Sequence, residues 1–145
     1  MKKTIIYIFS IVVIICVIIA SRLYRNKEYL VGIKKFNTKY EKYISGDVIG
    51  TDVASIINQA VDDNENERIK KDENGRYIQN DQNSVNIEVM ITEFEKEQIY
   101  TMETLYNGGM NQFVKYYGQI RFKASKVEYN ENKKIKYILF EQIIN

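Results

Sequence analysis

The strongest constraint on this chain is an uncharged apolar run near its N-terminus. Residues 4–20 contain no charged residue, no Gly and no Pro, and most of them are Ile or Val. At a helical rise of about 1.5 Å per residue the run spans roughly 25 Å, and the following residues, with Arg22 and Arg25 snorkelling to the headgroups, extend it to about 30 Å. The run therefore predicts a transmembrane anchor, which we assign to residues 1–21.

A cleaved signal peptide is the alternative interpretation of the same run. Lys2 and Lys3 precede it, as the charged region of an export signal does. The apolar segment is longer than is usual for such a signal, and Ile18 stands where cleavage after Ala20 requires a small residue. We therefore expect an uncleaved single-pass anchor in a cell membrane.

Two rules disagree about the side of the membrane on which the rest of the chain lies. The many lysines and arginines after the run favour retention of the C-terminal part in the cytoplasm. Two lysines directly before an uncharged run, however, are typical of an export signal, and long following domains are translocated largely regardless of charge. We expect the soluble part to be extracytoplasmic.

The charge changes sign along the chain. Residues 1–44 carry nine Lys or Arg against two acids, a net charge of +7, whereas residues 45–145 carry twelve against seventeen, a net charge of −5. A basic segment beside a bilayer attracts anionic lipid headgroups, although a solvated helix face has the same composition. An acidic soluble part is a poor partner for nucleic acid. The expected partners are membrane lipids and a membrane or envelope protein.

A basic amphipathic neck helix is predicted over residues 22–44. Apolar and aromatic side chains recur there at spacings of three and four, which places them on one helix face. We assign this stripe as a partner interface; it consists of Leu30, Ile33, Phe36, Tyr40 and Tyr43. A second copy of the chain is one cover for the stripe and would make a homo-oligomer, but barely three heptads favour packing on the domain's own sheet.

Two helices are predicted within a small soluble domain, residues 45–145, which is long enough for one domain. Thr51 and Asp52 are interpreted as the N-cap and first-turn acid of the first helix. Its apolar positions have the spacing of one buried face; they are Val53, Ile56, Ile57, Ala60 and Val61. A second, short helix is predicted over residues 110–117 and ends at Gly118.

Alternating patterns predict an antiparallel sheet. A small hairpin turns at Asn74 and Gly75, residues 85–92 alternate as a half-buried strand, and residues 98–103 are predicted to be extended. A C-terminal hairpin turns at residues 130–133, and a break in alternation near Ser125 and Lys126 predicts a β-bulge. The predicted fold class is α+β: a transmembrane helix that continues into the neck, then a small antiparallel sheet packed by short helices.

The residue inventory excludes several catalytic sites. The chain has no His, and its single Cys16 lies in the apolar run, so catalysis by a His-activated nucleophile and His-liganded zinc are excluded. Glu103 beside Gly108 and Gly109 is a candidate acid or anion site, but no partner base accompanies it, and we interpret it as a turn and a helix cap. We predict no catalytic residue and no cofactor.

One metal motif is matched in spacing. The ligand positions of an EF-hand loop fall on Asp62, Asn64, Asn66, Ile69 and Glu73. Glu67 stands where that loop requires Gly, and the neighbouring Arg68 adds positive charge. We therefore predict no metal site.

The order of an apolar helix, an amphipathic neck and an antiparallel sheet resembles the architecture of pilins and pseudopilins. The prepilin cleavage motif is absent, and no Glu lies in the apolar run. The resemblance is thus one of architecture, and we assign no family from it.

These patterns lead to two hypotheses of function. The first is a non-catalytic, membrane-anchored accessory or assembly subunit of a bacterial envelope complex. The alternative is a binding module for an anionic or glycan ligand of the envelope. Its candidate ligand-binding residues are the basic and tyrosine side chains of the C-terminal hairpin, Arg121, Lys123, Lys126, Tyr129, Lys136 and Tyr137.

Overall fold

The computed structural model describes residues 2–144, with side chains from residue 6 onward. The first element is helix α1 (Lys2–Ile44). Contacts divide the chain into two compact units, the first ending at Lys35 and the second beginning at Phe36. The second unit therefore includes the last residues of the predicted neck.

Helix α1 begins with the predicted apolar run. Among the described residues it is the one helix long and apolar enough to cross a membrane, a property that N-terminal signal sequences share. Its serine hydroxyls are satisfied by the helix itself: Ser10 Oγ donates to the Ile6 carbonyl over 2.9 Å and Ser21 Oγ to the Ile18 carbonyl over 2.8 Å. The helix is consistent with a membrane anchor, because neither hydroxyl needs water.

The second unit is α+β, as predicted. Its strands are β1 (Val48–Ile49), β2 (Asn86–Glu93), β3 (Lys96–Thr101), β4 (Arg121–Tyr129) and β5 (Ile135–Gln142), and its helices are α2 (Gly50–Asn66), α3 (Met102–Asn107) and α4 (Met110–Tyr117). The strands form one sheet in the order β1-β4-β5-β2-β3.

The sheet is mixed, and the prediction of a purely antiparallel sheet is wrong. Strand β5 pairs antiparallel with β4 but parallel with β2, where Ile87 lies opposite Ile138. The chain between β2 and β5 contains β3, α3, α4 and β4, which is long enough for the crossover that parallel strands require. The alternation of apolar and polar residues does not predict the direction of a neighbouring strand, because a parallel and an antiparallel neighbour leave the same face of β5 buried.

One face of the sheet is buried beneath the helices. Ile87, Val89 and Ile91 of β2 are buried, and they share the core with Phe122 of β4 and Phe140 of β5. The alternate positions keep solvent exposure, and we call their side of the sheet the open face. The open face includes Glu88 and Met90 of β2, Leu139 of β5 and Ile99 of β3.

Helix α2 is confirmed, but it begins at Gly50 instead of after an N-cap at Thr51. A close crossing decides this boundary. The Gly50 amide donates to the Ile120 carbonyl over 2.9 Å, the Thr51 amide donates to the Gly118 carbonyl over 3.1 Å, and a Cβ on Gly50 would lie 2.0 Å from the Tyr117 carbonyl oxygen. The first turn of α2 is therefore held against the end of α4 by backbone contacts that only Gly permits.

Helix α4 has the predicted bounds, whereas helix α3 replaces the end of the segment that was predicted to be extended. Thr101 is the N-cap of α3: its hydroxyl accepts a hydrogen bond from the Thr104 amide over 3.3 Å. Met102 and Glu103, buried in the first turn, follow it. A Thr in this position is an ordinary helix-start signal, but α3 has only six residues, which is too short for a helical period to stand out in the sequence.

The C-terminal hairpin is confirmed with two bulges. Between Ala124 and Lys126 the register shifts by one residue, as predicted, and a second shift leaves Lys136 as the extra residue between Ile135 and Tyr137. The small hairpin is present as a single bridge between Lys71 and Tyr77, with Gly75 at a positive φ of 75° in the turn.

The acidic segment that matches the EF-hand spacing is folded differently. Helix α2 continues through Asn66, so the first ligand positions lie in a helix. The Asn64 side chain is paired with the backbone of Val85, donating to its carbonyl over 2.8 Å and accepting from its amide over 2.9 Å. Asn64 thus links α2 to the start of β2.

The last turns of α1 belong to the core of the second unit. Tyr40 is fully buried, and its hydroxyl donates to Asp63 over 2.8 Å, while Lys39 Nζ pairs with the same carboxylate over 2.7 Å. Burial, and then the charge of Asp63, raise the pKa of Tyr40. Asn37 also connects to the hairpin, donating to the Lys133 carbonyl and accepting from the Ile135 amide. This end of α1 is therefore docked by polar and apolar contacts together.

Candidate functional site

A groove of about 450 Å³ lies on the open face of the sheet. Its floor is a row of three residues in register across three strands: Glu128 of β4, Tyr137 of β5 and Asn86 of β2. The complete lining consists of these residues and Gln79, Asn80, Asp81, Lys126 and Lys136.

The two bulges bring the basic residues to this face. Without the extra residue at Ser125, strict alternation would place Lys123 and Lys126 on opposite faces. The bulge lets Lys123 pair with Glu141 and Lys126 with Leu139, both open-face positions of β5. The second bulge allows Lys136 and its neighbour Tyr137 to line the same groove. The groove therefore depends on both register shifts.

The wall of the groove is the turn before β2, which is braced by its own side chains. Asn80 Oδ1 accepts hydrogen bonds from the amides of Gln82 and Asn83, each over 2.9 Å. Ser84 Oγ accepts from the Asn80 amide and donates to the Asn80 carbonyl. Asn130 of the hairpin turn donates to the Gln82 carbonyl over 3.0 Å. These bonds hold the wall against the hairpin that forms the floor.

Each lysine of the groove is paired with a groove acid. Lys126 Nζ lies 2.7 Å from Glu128 Oε1, and Lys136 Nζ lies 3.0 Å from Asp81 Oδ1. The hydrogen bond from Lys126 lowers the pKa of Glu128, and the hydrogen bond to Asp81 raises the pKa of Lys136. The groove therefore combines two cations with two anions and has no net charge from these four groups.

Tyr137 provides an aromatic surface in the middle of the floor. Its ring is half-buried, and its hydroxyl donates to Glu88 Oε2 over 2.7 Å. Burial, followed by the hydrogen bond to Glu88, raises the pKa of Tyr137. Lys126 Nζ lies 5.5 Å from the ring centroid, within cation–π range. The hydrogen bond to Glu88 therefore holds the Tyr137 hydroxyl, and the Lys126 ammonium group lies against one face of the ring.

Three of the six predicted ligand-binding residues meet in the groove, namely Lys126, Lys136 and Tyr137. The other three lie outside its lining. Arg121 pairs with Asp47, Lys123 Nζ lies 3.9 Å from Glu141, and Tyr129 is half-exposed.

The sequence reasoning missed the amide and acid residues of the wall, Gln79, Asn80 and Asp81. Their run of Asn, Asp and Gln with Ser84 is a turn signal. The signal does not indicate which strands the turn faces.

The predicted partner stripe is divided between different environments. Tyr40 is fully buried in the second unit, so its assignment to a partner surface is corrected: its own domain covers it. Phe36 and Tyr43 pack against the same core. Leu30 is 57% exposed, and Ile33 is half-buried.

A second, more apolar cleft of about 250 Å³ lies between β2, β3 and the helices α3 and α4. We call it the aromatic cleft; it is lined by Ile91, Tyr100, Thr104, Leu105, Gly108, Gly109, Gln112, Phe113, Tyr116 and Tyr117. The hydrogen bond that Tyr117 donates to Glu93, and then burial, raise the pKa of Tyr117 to about 12. This cleft offers mainly ring surface where the groove offers polar groups.

Glu103 is a structural residue. It is buried, and its Oε1 accepts a hydrogen bond from the Tyr77 amide over 3.0 Å, which attaches α3 to the small hairpin. Its carboxylate is therefore engaged within the fold.

Comparisons of the chain with protein-family models, with curated proteins and with solved structures each returned no match.

Proposed function

We propose that this chain is a membrane-anchored binding module that holds a neutral, amide-bearing glycan in the open-face groove. The observation that carries the proposal is the composition of the lining: a fixed tyrosine ring surrounded by amides, carboxylates and lysines whose charges cancel.

The cancelled charge argues against an anionic ligand. An anion that approached Lys126 or Lys136 would also meet Glu128 and Asp81, which already occupy those ammonium groups. Exposed ion pairs contribute little to stability, so an anion could displace the carboxylates, but it would then leave them beside its own charge. The net charge of −5 on residues 45–145 adds to this repulsion.

The polar groups match a polyhydroxylated ligand. Gln79, Asn80 and Asn86 line the groove, and amide groups pair with sugar hydroxyls and acetamido groups. Within the fold the Asn80 oxygen accepts from the wall amides and the Gln79 nitrogen donates to Tyr77, so Asn80 offers a ligand its NH₂ group and Gln79 its oxygen. The groove carboxylates accept further hydrogen bonds from hydroxyls. The ring of Tyr137 supplies an apolar surface for the C–H face of a sugar. A mostly polar groove with one aromatic centre is thus suited to an extended saccharide.

The membrane anchor determines the location at which the groove can bind such a ligand. Helix α1 carries the apolar segment, and the lysines before it are typical of an export signal. In this proposal α1 holds the groove at the outer surface of the membrane, where cell-wall glycans are accessible.

Titration calorimetry of the full chain tests the proposal, in a detergent that has no sugar headgroup. The probe is a β-1,4-linked N-acetylglucosamine tetrasaccharide, and a polyglycerol phosphate serves as the anionic comparison. We expect saturable binding of the tetrasaccharide that changes little when salt is raised, since screening weakens only interactions between charges.

Two substitutions localise the site. Tyr137→Ala should reduce the affinity at least tenfold, whereas Tyr129→Ala, which removes an exposed ring on the neighbouring strand outside the groove, should leave it unchanged. Binding of the polyglycerol phosphate alone, lost at high salt, would replace the neutral ligand with an anionic one. Equal losses in the two variants would show that the groove is not the site.

An accessory or assembly subunit is the second candidate function. It is favoured by Phe94, a large aromatic residue that is 98% exposed at the tip of the β2–β3 hairpin. A side chain in that position contributes nothing to the core, and exposed aromatic residues commonly anchor protein contacts.

A further inference from the structure

Strand β3 is an uncovered edge of the sheet. It is last in the strand order, and residues 96–99 are exposed, with Ile99 at 56%. An edge strand offers unpaired backbone donors and acceptors, and proteins usually protect such edges with charge, Pro or a covering element. The charges of β3 are confined to Lys96 and Glu97, so the rest of the edge lacks this protection.

The register identifies the amides that point outward. The Thr92 amide donates to the side-chain oxygen of Gln142 on β5 over 3.1 Å, so the amide of Thr92 points toward β5 and the amides of its two strand neighbours point toward β3. Ile91 and Gln98, which lie opposite each other, are therefore a hydrogen-bonded pair of the β2–β3 ladder, and the pairs on either side of them are not hydrogen-bonded to each other. It follows that Glu97, Ile99 and Thr101 direct their backbone groups away from β2, toward the free edge.

The tip of the same hairpin carries a strained aromatic residue. Phe94 and Glu95 form the two-residue turn with φ values of 50° and 63°. Glycine or asparagine usually occupies such positions, because positive φ is costly for a bulky side chain. Phe94 is nevertheless placed there with 98% of its surface exposed. The strain and the exposure are both explained if Phe94 is buried in a complex.

We propose that two copies of this chain pair antiparallel, β3 against β3, with Ile99 of each copy opposite Ile99 of the other. This register uses the outward-facing groups, since Ile99 pairs with its own equivalent and Glu97 with Thr101 of the second copy. The open-face side chains of Ile99 are then in direct contact across the two-fold axis, and two edges are removed at once.

The same register places the exposed tip against a matching surface. Strand β3 ends at Thr101 and α3 begins at Met102, so in this register the Phe94 tip lies beyond the end of β3 of the second copy, beside the start of its α3. Thr104 and Leu105 line the aromatic cleft. In the proposed dimer we expect the Phe94 ring to enter this cleft of about 250 Å³ in the other copy, and the contact is reciprocal because a two-fold interface repeats each contact.

Charge is consistent with this orientation. The tip carries Glu93, Glu95 and Glu97 against Lys96 alone. In an antiparallel pair the two acidic tips lie at opposite ends of the interface, where they do not meet. A parallel arrangement would bring them together and is disfavoured by their repulsion.

The paired sheet also orients the two copies in a defined way. A two-fold axis perpendicular to a continuous sheet places both helical layers on one face and both open faces on the other. The dimer therefore presents two grooves on the same side, which suits a polymer with repeated units. The pairing itself rests on β3 and is independent of the ligand in the groove.

Disulfide cross-linking tests the register directly. In the full chain carrying Cys16→Ser, Ile99→Cys places two thiols on directly opposed residues, about 5.5 Å apart between Cα atoms, which a disulfide spans. The matched control is Glu97→Cys on the same exposed edge. In the proposed register the two copies of residue 97 are about 13 Å apart, which a disulfide cannot bridge.

We expect mild oxidation to cross-link most of the Ile99→Cys chain and to leave the Glu97→Cys chain monomeric. Sedimentation of the Cys16→Ser chain in detergent should show a dimer, and Ile99→Lys should weaken it tenfold or more, since two ammonium groups would then face one another. Equal cross-linking of the two cysteine variants, cross-linking of neither, or a monomeric Cys16→Ser chain would each overturn the proposal.

Discussion

The substitution Gly50→Ala tests the tightest backbone contact in the fold. An added Cβ would lie 2.0 Å from the Tyr117 carbonyl oxygen, 2.6 Å from its carbon and 3.1 Å from Gly118 Cα. Real Cβ contacts are essentially never shorter than 3.0 Å. The neighbouring atoms are backbone, so no side chain can rotate away, and the end of α4 must move by about 1 Å relative to the start of α2.

The cost follows from that movement. Overpacking of this kind costs about 1 to 3 kcal/mol. The shift also disturbs the hydrogen bonds that the Gly50 and Thr51 amides donate to Ile120 and Gly118, each with a net value of about 0.5 to 1.5 kcal/mol. Ala gains roughly 0.5 to 1 kcal/mol over Gly in a helix. We therefore expect a net loss of about 2 to 4 kcal/mol, a large part of a typical stability of about 5 to 15 kcal/mol.

Urea denaturation of the full chain in detergent, followed by near-ultraviolet circular dichroism of the tyrosines, measures this loss. With a slope of about 1 to 3 kcal/mol per molar, the midpoint should fall by roughly 1 M or more. Gly46→Ala is the matched control, because its added Cβ meets no atom within 4 Å and the expected change is within about 0.5 kcal/mol. A Gly50→Ala protein as stable as the parent would refute the reasoning, because the two helices would then not cross at backbone contact.

Three further predictions follow from packing, titration and topology. Ile56→Ala, at a fully buried position of α2, should cost about 2 to 5 kcal/mol in the same denaturation experiment, and an unchanged midpoint would mean that the core is elsewhere. Burial and a hydrogen bond to Glu65 raise the pKa of Tyr77 to about 12, as the Glu93 contact does for Tyr117. The folded state then binds more protons than the unfolded state above about pH 10, so stability is complete below that pH and falls as pH rises to about 12. A tyrosinate absorbance titration checks the raised pKa values, and urea denaturation between about pH 10 and pH 12 checks the fall in stability. A free energy of unfolding that stays constant over this interval would contradict the prediction. For topology, Glu131→Cys in the Cys16→Ser chain should react with a membrane-impermeant maleimide on intact cells, and reaction only after lysis would place the second unit in the cytoplasm.

Much of the secondary structure follows from local patterns in the sequence. The 3.6-residue period predicted α2 and α4, and alternation with a turn signal predicted the C-terminal hairpin. The break in alternation near Ser125 predicted its bulge, because a bulge changes the face of every later residue in the strand. These features depend on residues within a few positions of one another.

Other features depend on residues that are far apart in the chain. The parallel pairing of β2 with β5 joins Ile87 to Ile138, and an alternating strand accepts either orientation of neighbour. The constraint on Gly50 comes from Tyr117 in another helix, so the isolated sequence indicates only a chain break there. The sequence favoured packing of the predicted stripe on its own domain, but the tertiary structure decided which residues are covered: Tyr40 is fully buried, whereas Leu30 is 57% exposed.

The groove shows the same division. Lys126, Lys136 and Tyr137 were predicted together because one hairpin carries them, and strand pairing within a hairpin is local. Asp81, which pairs with Lys136, comes from a turn far earlier in the sequence. Tertiary structure alone placed that acid beside the lysine, which the sequence had indicated only as a candidate ligand-binding residue, and the pair has no net charge. The sequence therefore determined which side chains line the hairpin, and folding decided the charge that a ligand meets.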